Sequence, residues 1–137
     1  MKLVLDTNIL VSALMTEGTP PDALYQLWEA GRFELSTSEK QIDELRRVLS
    51  YEKLAPYINT IEASLLLENT NSMAEIVEVE QPCSESPDPD DNWILATATV
   101  AKADLLLTGD KNDLLKLKQI ESIKIVSARN ALEFFSS

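Results

Sequence analysis

The chain has 137 residues, 45% of them apolar and 26% charged, a length that suits one domain over 1–137 and buries roughly 65–70% of the unfolded surface. It contains no histidine and one cysteine, Cys83, which excludes an internal disulfide, Cys- or His-built zinc sites and nucleophiles that need an imidazole base. A net charge of −11 disfavours nucleic-acid binding through bulk charge, and three scattered glycines exclude nucleotide-cradling Gly-rich loops.

Residues 2–6 are a short apolar run ending at an acid, as a buried strand does. Residues 8–15 are helical, and Gly18 to Pro21 break the chain. Pro21 opens a helix with Leu24, Leu27 and Trp28 on one face, closed by Gly31. Residues 33–36 read as a second strand. Ser38 with Gln41 resembles a capping box, opening a helix that aligns Ile42, Leu45, Val48 and Leu49. Residues 51–74 are helical again, broken at Pro56 and capped at Thr60. Residues 75–79 alternate acid and apolar, a strand with one wet face. A loop over 80–90 follows, holding Pro82, Pro87 and Pro89. Helix 90–103, strand 104–107, helix 111–118, strand 123–126 and helix 128–135 complete the chain. No run reaches the ~18 apolar residues of a membrane span. Nor does the start show a secretory leader, so the expectation is a cytoplasmic protein without membrane contact.

Strands alternating with helices imply an α/β fold, its mostly parallel sheet covered on both faces. Ligands of such sheets bind at the C-terminal edge, where the strand order reverses. The residues that follow each strand therefore matter most. The first strand ends at Asp6, then Thr7 and Asn8. The strand 104–107 leads into Thr108, Gly109 and Asp110, with Asn112 and Asp113 beyond. The strand 75–79 feeds the loop of Asp88, Asp90 and Asp91, and the second strand feeds the helix bearing Glu44. At ~100° per residue Glu44 falls about 40° past Val48, on the margin of the apolar stripe, free to face solvent or the sheet edge.

Four segments thus offer carboxylates to one edge. Within ~5 Å, each pair repels by roughly 3 kcal/mol at an effective dielectric near 20, which a cation resolves. Oxygen donors alone suit Mg²⁺ or Mn²⁺. Such an ion acidifies a bound water and neutralises phosphoryl charge, so phosphodiester hydrolysis needs no histidine. Each acid also has a structural reading. Asp6 caps the next helix; Asp88 before Pro89 is an N-cap with Asp91 in the first turn; Glu44 is a solvated helix residue; Asp110 sits in a turn; Asp113 caps a short helix. Three aspartates within 88–91 exceed what one helix start needs. Thr7 and Asn8 are placed to hold Asp6, and Thr108 with Gly109 suits a close approach of backbone to ligand. Trp28 and Trp93 read as core or interface, and Cys83 as inert.

In this order, Leu5-Asp6-Thr7-Asn8-Ile9-Leu10, Glu44-Leu45, Asp88-Pro89-Asp90-Asp91-Asn92-Trp93-Ile94-Leu95-Ala96 and Thr108-Gly109-Asp110 resemble the PIN-domain family, above all its bacterial toxin branch. The resemblance runs from Lys2 to about Leu132. It implies a three-layer α/β/α fold with a central, mostly parallel five-stranded sheet, and a Mg²⁺- or Mn²⁺-dependent endoribonuclease. It implies metal-holding and catalytic roles for Asp6, Glu44, Asp91 and Asp110, with Asp88 and Asp113 as accessory acids and Thr7, Asn8 and Thr108 in support. It also implies an RNA substrate, a homodimer and, for the toxin branch, a protein antitoxin. The segment 51–74, with Leu65-Leu66-Leu67, is a site for such contacts or else core. Lys111, Lys116, Lys118, Arg46 and Arg47 guide RNA phosphates on this reading, and are otherwise solvated helix faces. Two other readings stand beside it. One is a non-catalytic acidic binding or scaffold module of the same fold whose carboxylates cap helices. The other is a haloacid-dehalogenase-type phosphatase or a receiver domain, although Asn8 stands where the phosphatase needs a second Asp and Lys2 where a receiver wants acids.

Overall fold

Strand β1 (Lys2–Leu5) is apolar on both faces, and in the structure, a computed structural model that describes residues 1–109 and 112–135, it lies inside a six-stranded sheet. The other strands are β2 (Glu34–Ser38), β3 (Glu75–Val77), β4 (Leu105–Leu107), β5 (Gln119–Ile120) and β6 (Ile123–Val126), in spatial order β3-β2-β1-β4-β6-β5. All pairings are parallel except that of β5 with β6. The chain order therefore reverses between β1 and β4, the position where α/β sheets open a crevice. Leu5 pairs with Leu107, which brings Asp6 and Thr108 out together at the C-terminal edge.

Side-chain alternation then divides the core. Leu3, Leu5, Leu105 and Leu107 face one way and pack with Leu24, Trp28, Leu45 and Leu66. Those residues come from α2 (Pro20–Glu29), α3 (Glu39–Leu49) and α4 (Thr60–Met73), beside α1 (Thr7–Met15) and α7 (Ala128–Leu132). Val4 and Leu106 face the other way, onto Ile94, Leu95 and Ala98 of α5 (Pro89–Ala101) and Leu114 of α6 (Leu114–Leu117). The three-layer α/β/α expectation holds. Each fully buried leucine contributes about 1.5–3 kcal/mol, and Leu106→Ala, at 0% exposure on the middle of β4, should cost about 2–5 kcal/mol.

The sheet has six strands where five were expected. The extra one, β5, is two residues long and turns back through Glu121, whose φ is +52°. Neither its length nor its glycine-free turn announces a hairpin. Other boundaries shift for local reasons. Thr60 does not cap α4; Asn59 does, accepting from the amides of Ile61 and Glu62 at 2.8 and 3.1 Å. Ser38 precedes α3 without a side-chain cap, because its hydroxyl shares a 3.0 Å hydrogen bond with Thr97 of α5. The segment 51–74 divides at Pro56 into a 3₁₀ turn, Glu52–Tyr57, and α4. The helix expected over 128–135 ends as a 3₁₀ turn, Glu133–Phe135. Among the described residues no helix is long and apolar enough to cross a membrane.

Candidate metal centre at the sheet edge

Asp6 leaves β1 and caps α1, its Oδ1 accepting the backbone N–H of Asn8 at 3.3 Å. Its Oδ2 accepts the hydroxyl of Thr108 at 2.9 Å, across the β1/β4 switch point. Both the capping role and the link to the Thr-Gly element are thus present in one carboxylate. A carboxylate offers about four lone-pair positions, so it can accept hydrogen bonds and still serve as a metal ligand. Asn8 supports Asp6 through its backbone and not its side-chain amide, which borders the cleft. Thr7 is buried and its side chain sits beside Glu44.

The start of α5 is built from the loop before it. Asp88 caps the helix, accepting from Asp90 N–H at 2.9 Å, and Pro89 supplies the first helical residue. Asn92 clamps the loop: its side-chain Oδ1 accepts from Ser86 N–H and its Nδ2 donates to Ser86 O, both at 2.9 Å. The Ser86 hydroxyl then donates to Asp91 Oδ2 at 3.2 Å and accepts from Asp88 N–H at 3.1 Å. Ser86 is 8% exposed, so this network fixes two acids from within the protein. Sequence reasoning passed over Ser86 and Asn92. The available signal was Ser-Pro-Asp-Pro ahead of a helix, with a hydroxyl two residues before the cap.

Glu44 is half-buried on α3 and faces the same edge. Burial raises its pKa first, and the negative charges of Asp6 and Asp90 raise it further, while Thr7 and Arg47 pull it down. Its neighbour Asp43 is exposed and pairs with Arg46 at 3.0 Å, which turns that arginine away from the centre. Lys116 and Lys118 are exposed. Asp110 and Lys111 lie outside the described residues.

These side chains share a cleft of about 500 Å³ lined by Asp6, Asn8, Glu44, Asp88, Asp91 and Asp113, among others. None of its described lining residues is basic. Among the described residues, Asp88, Asp91 and Asp113 bring one oxygen each within 4.8 Å of the others. The donors are all oxygen and come from the end of β1, from α3, from the start of α5 and from the segment after β4. That set fits a hard divalent cation such as Mg²⁺ or Mn²⁺ and offers a soft metal nothing.

The PIN domain family matches residues 2–112. The fold is similar to a chain of VapBC2 from Rickettsia felis, crystallised bound to a DNA fragment from their promoter. That likeness has a TM-score of 0.59 at 19% identity and covers 93% of this chain and 98% of that one. At such identity it speaks to the fold. No curated protein matches the chain. PIN domains are generally nucleases, and the match displaces the phosphatase and receiver readings. Since the matched span takes in the end of β1, Glu44 and the start of α5, the chain belongs to the PIN domain family.

Proposed function

We propose that this chain is a Mg²⁺- or Mn²⁺-dependent endoribonuclease, one nuclease domain over residues 1–137, and the toxin of a cytoplasmic toxin–antitoxin pair. The observation that carries the nuclease reading is the meeting of Asp6, Glu44, Asp88, Asp91 and Asp113 in one cleft at the strand-order switch. Helix capping accounts for Asp6 and Asp88. It does not account for a half-buried Glu44 or for Asp113 within reach of two other aspartates, so the scaffold reading explains less. The antitoxin partner is supported by the fold's likeness to a chain of a VapBC2 complex, and the homodimer by the family resemblance alone.

On this reading Asp6, Asp91 and Asp110 hold the metal, with Glu44 as a ligand or as the group that positions the attacking water. When bound, the ion acidifies water and neutralises charge on the phosphoryl oxygens. The protein's own part is orientation. Thr108 and the Asn8 amide hold Asp6, while Ser86, clamped by Asn92, holds Asp91. Glu44, its pKa raised by burial and by Asp6, is suited to accept a proton from water at a carboxylate oxygen and to release it afterwards. Asp88 and Asp113 stand beside these as accessory acids.

The test is incubation of the purified protein with mixed RNAs and Mn²⁺, beside Asp6→Asn. Cleavage by the native chain and not by the variant is expected. Equal cleavage by both would mean a contaminating nuclease and remove the claim.

A further inference from the structure

Outside the acidic cleft, the end of β2 and the first turn of α3 meet α5. Ser38, just ahead of α3, bonds Thr97, and Lys40 holds its ammonium 4.9 Å from the centroid of the Trp93 ring. Farther out, Glu44 and Asp90 both line the cleft. Lys40 precedes Glu44 by four residues and Trp93 follows Asp90 by three, so each lies one helical turn, roughly 5 Å, from the cleft residue on its own helix.

Two features of this pair are unexpected in a chain of net charge −11. Lys40 is exposed and forms no ion pair among the described residues, although it stands within a turn of Asp43 and Glu44. It lies over an indole, which leaves its N–H donors free for an anion. Trp93 is half-buried, and among the described residues no hydrogen bond reaches its ring N–H. Since no buried side-chain polar atom among the described residues lacks a partner, that N–H is open to solvent.

We propose that Lys40 and Trp93 dock the nucleotide next to the cleavage position, Lys40 taking a backbone phosphate and Trp93 the adjoining base. The proposal rests on the nuclease reading above. Cation and aromatic side by side are the parts from which single-stranded nucleic-acid sites are built. An ammonium one turn from the acids gives the polyanion a place to land beside the acidic cleft. As the ammonium moves to the phosphate, the indole face is released to the base.

The experiment measures binding of a fluorescent single-stranded RNA by anisotropy at fixed Mg²⁺ across a KCl series, with Asp6→Asn as the uncleaving parent. Adding Lys40→Gln should weaken binding about three- to tenfold whatever the RNA sequence. It should also lower the slope of log affinity against log salt by about 0.7, the share of one phosphate on a single strand. Lys40→Arg should restore both, and Trp93→Leu should weaken binding with less change in the salt slope. Unchanged affinity and slope in Lys40→Gln would overturn the proposal, and so would a parent that binds no RNA at any salt. Cleavage by the chain with native Asp6 decides the nuclease reading separately. If it cuts while Lys40→Gln binds like the parent, only the docking proposal falls. If it does not cut while Lys40→Gln binds weakly, the docking element stands and the nuclease reading falls.

Discussion

At the N-terminal ends of the strands, Glu75 has the Lys2 ammonium 3.2 Å away and accepts the Ser36 hydroxyl at 3.0 Å. Asp104 accepts the Lys2 backbone N–H at 2.7 Å, and Lys2 Nζ also donates to Ala101 O at the end of α5. At the C-terminal ends Glu44 lies half-buried in the fields of Asp6 and Asp90. Two glutamates of one chain are thus moved in opposite directions: Glu75 below its ordinary pKa by the Lys2 and Ser36 hydrogen bonds, Glu44 above it by burial and like charge. One end of the sheet uses acids to tie β1, β3, β4 and α5 together. The other gathers Asp6, Glu44, Asp88, Asp91 and Asp113 in one cleft, where burial and like charge raise the Glu44 pKa. A half-buried glutamate with a raised pKa, set in a cleft among other acids, marks the second edge as the functional candidate.

The largest effect that would break this contrast is kinetic. Glu44→Gln should lower the rate of RNA cleavage by on the order of 10²-fold or more, the scale of a positioned acid–base group. Asp43→Asn, whose carboxylate pairs with Arg46 on the exposed side of α3, should stay near the native rate. Similar rates for the two would remove Glu44 from the centre. The next effect is thermodynamic. Mg²⁺ or Mn²⁺ at a hundred times its Kd should stabilise the native chain by about 2.7 kcal/mol in calorimetry. Asp6→Asn and Asp91→Asn should lose most of that shift. Full retention in both would mean that these acids do not share an ion.

A smaller effect tests the repulsion itself. In chelator, Glu44→Gln should melt slightly higher than the native chain, by up to about 1 kcal/mol after allowance for solvent screening. The sign follows from the raised pKa. A group whose folded pKa lies above its unfolded one favours folding at low pH and loses that contribution as pH rises through the folded value. The advantage of the variant should therefore grow with rising pH and vanish in acid. An advantage that grows on acidification would contradict the crowding of Glu44.

Much of this contrast was legible in the chain itself. Leucine-rich runs of three or four residues ending at Asp6 and Thr108 declare buried parallel strands, and parallel strands fix which end carries ligands. The strand ends offered Asp6, Asp91 and Asp113 to one edge, whereas the helical position of Glu44 left it between solvent and that edge and only the family resemblance drew it in; the structure has all four line one cleft. What escaped depends on loops and on contacts distant in sequence. The Ser86–Asn92 clamp needs the path of the loop ahead of α5. The hydroxyl of Ser38 reads as a cap until α5 is packed against it and Thr97 takes its hydrogen bond. β5 consists of two residues flanked by Lys118 and Glu121 at positive φ, where glycine would have given a signal. Asp110, an equal member of the expected set, lies outside the described residues.

The weakest effect belongs to the paired edge, and it sharpens the comparison because its sign is opposite. The Glu75 side chain is 49% exposed and that of Lys2 26%, so their ion pair is worth about 0.2–1 kcal/mol, the exposed-pair scale. Glu75→Gln should accordingly destabilise the native chain by no more than that at neutral pH. Here the folded pKa is depressed. The stabilisation is complete above the unfolded value, about 4.3 for glutamate, and disappears as pH falls through the lower folded value. Urea titrations of the native chain and Glu75→Gln should thus diverge at neutral pH and converge in acid, in chelator and without any dependence on Mg²⁺. High salt should shrink the difference, because the pair is open to counterions. Glu44→Gln, measured in the same series, should differ from the native chain in the opposite direction. Two variants that both destabilise at neutral pH would erase the distinction between the two ends of the sheet, and with it the physical ground for placing the cation at the C-terminal edge.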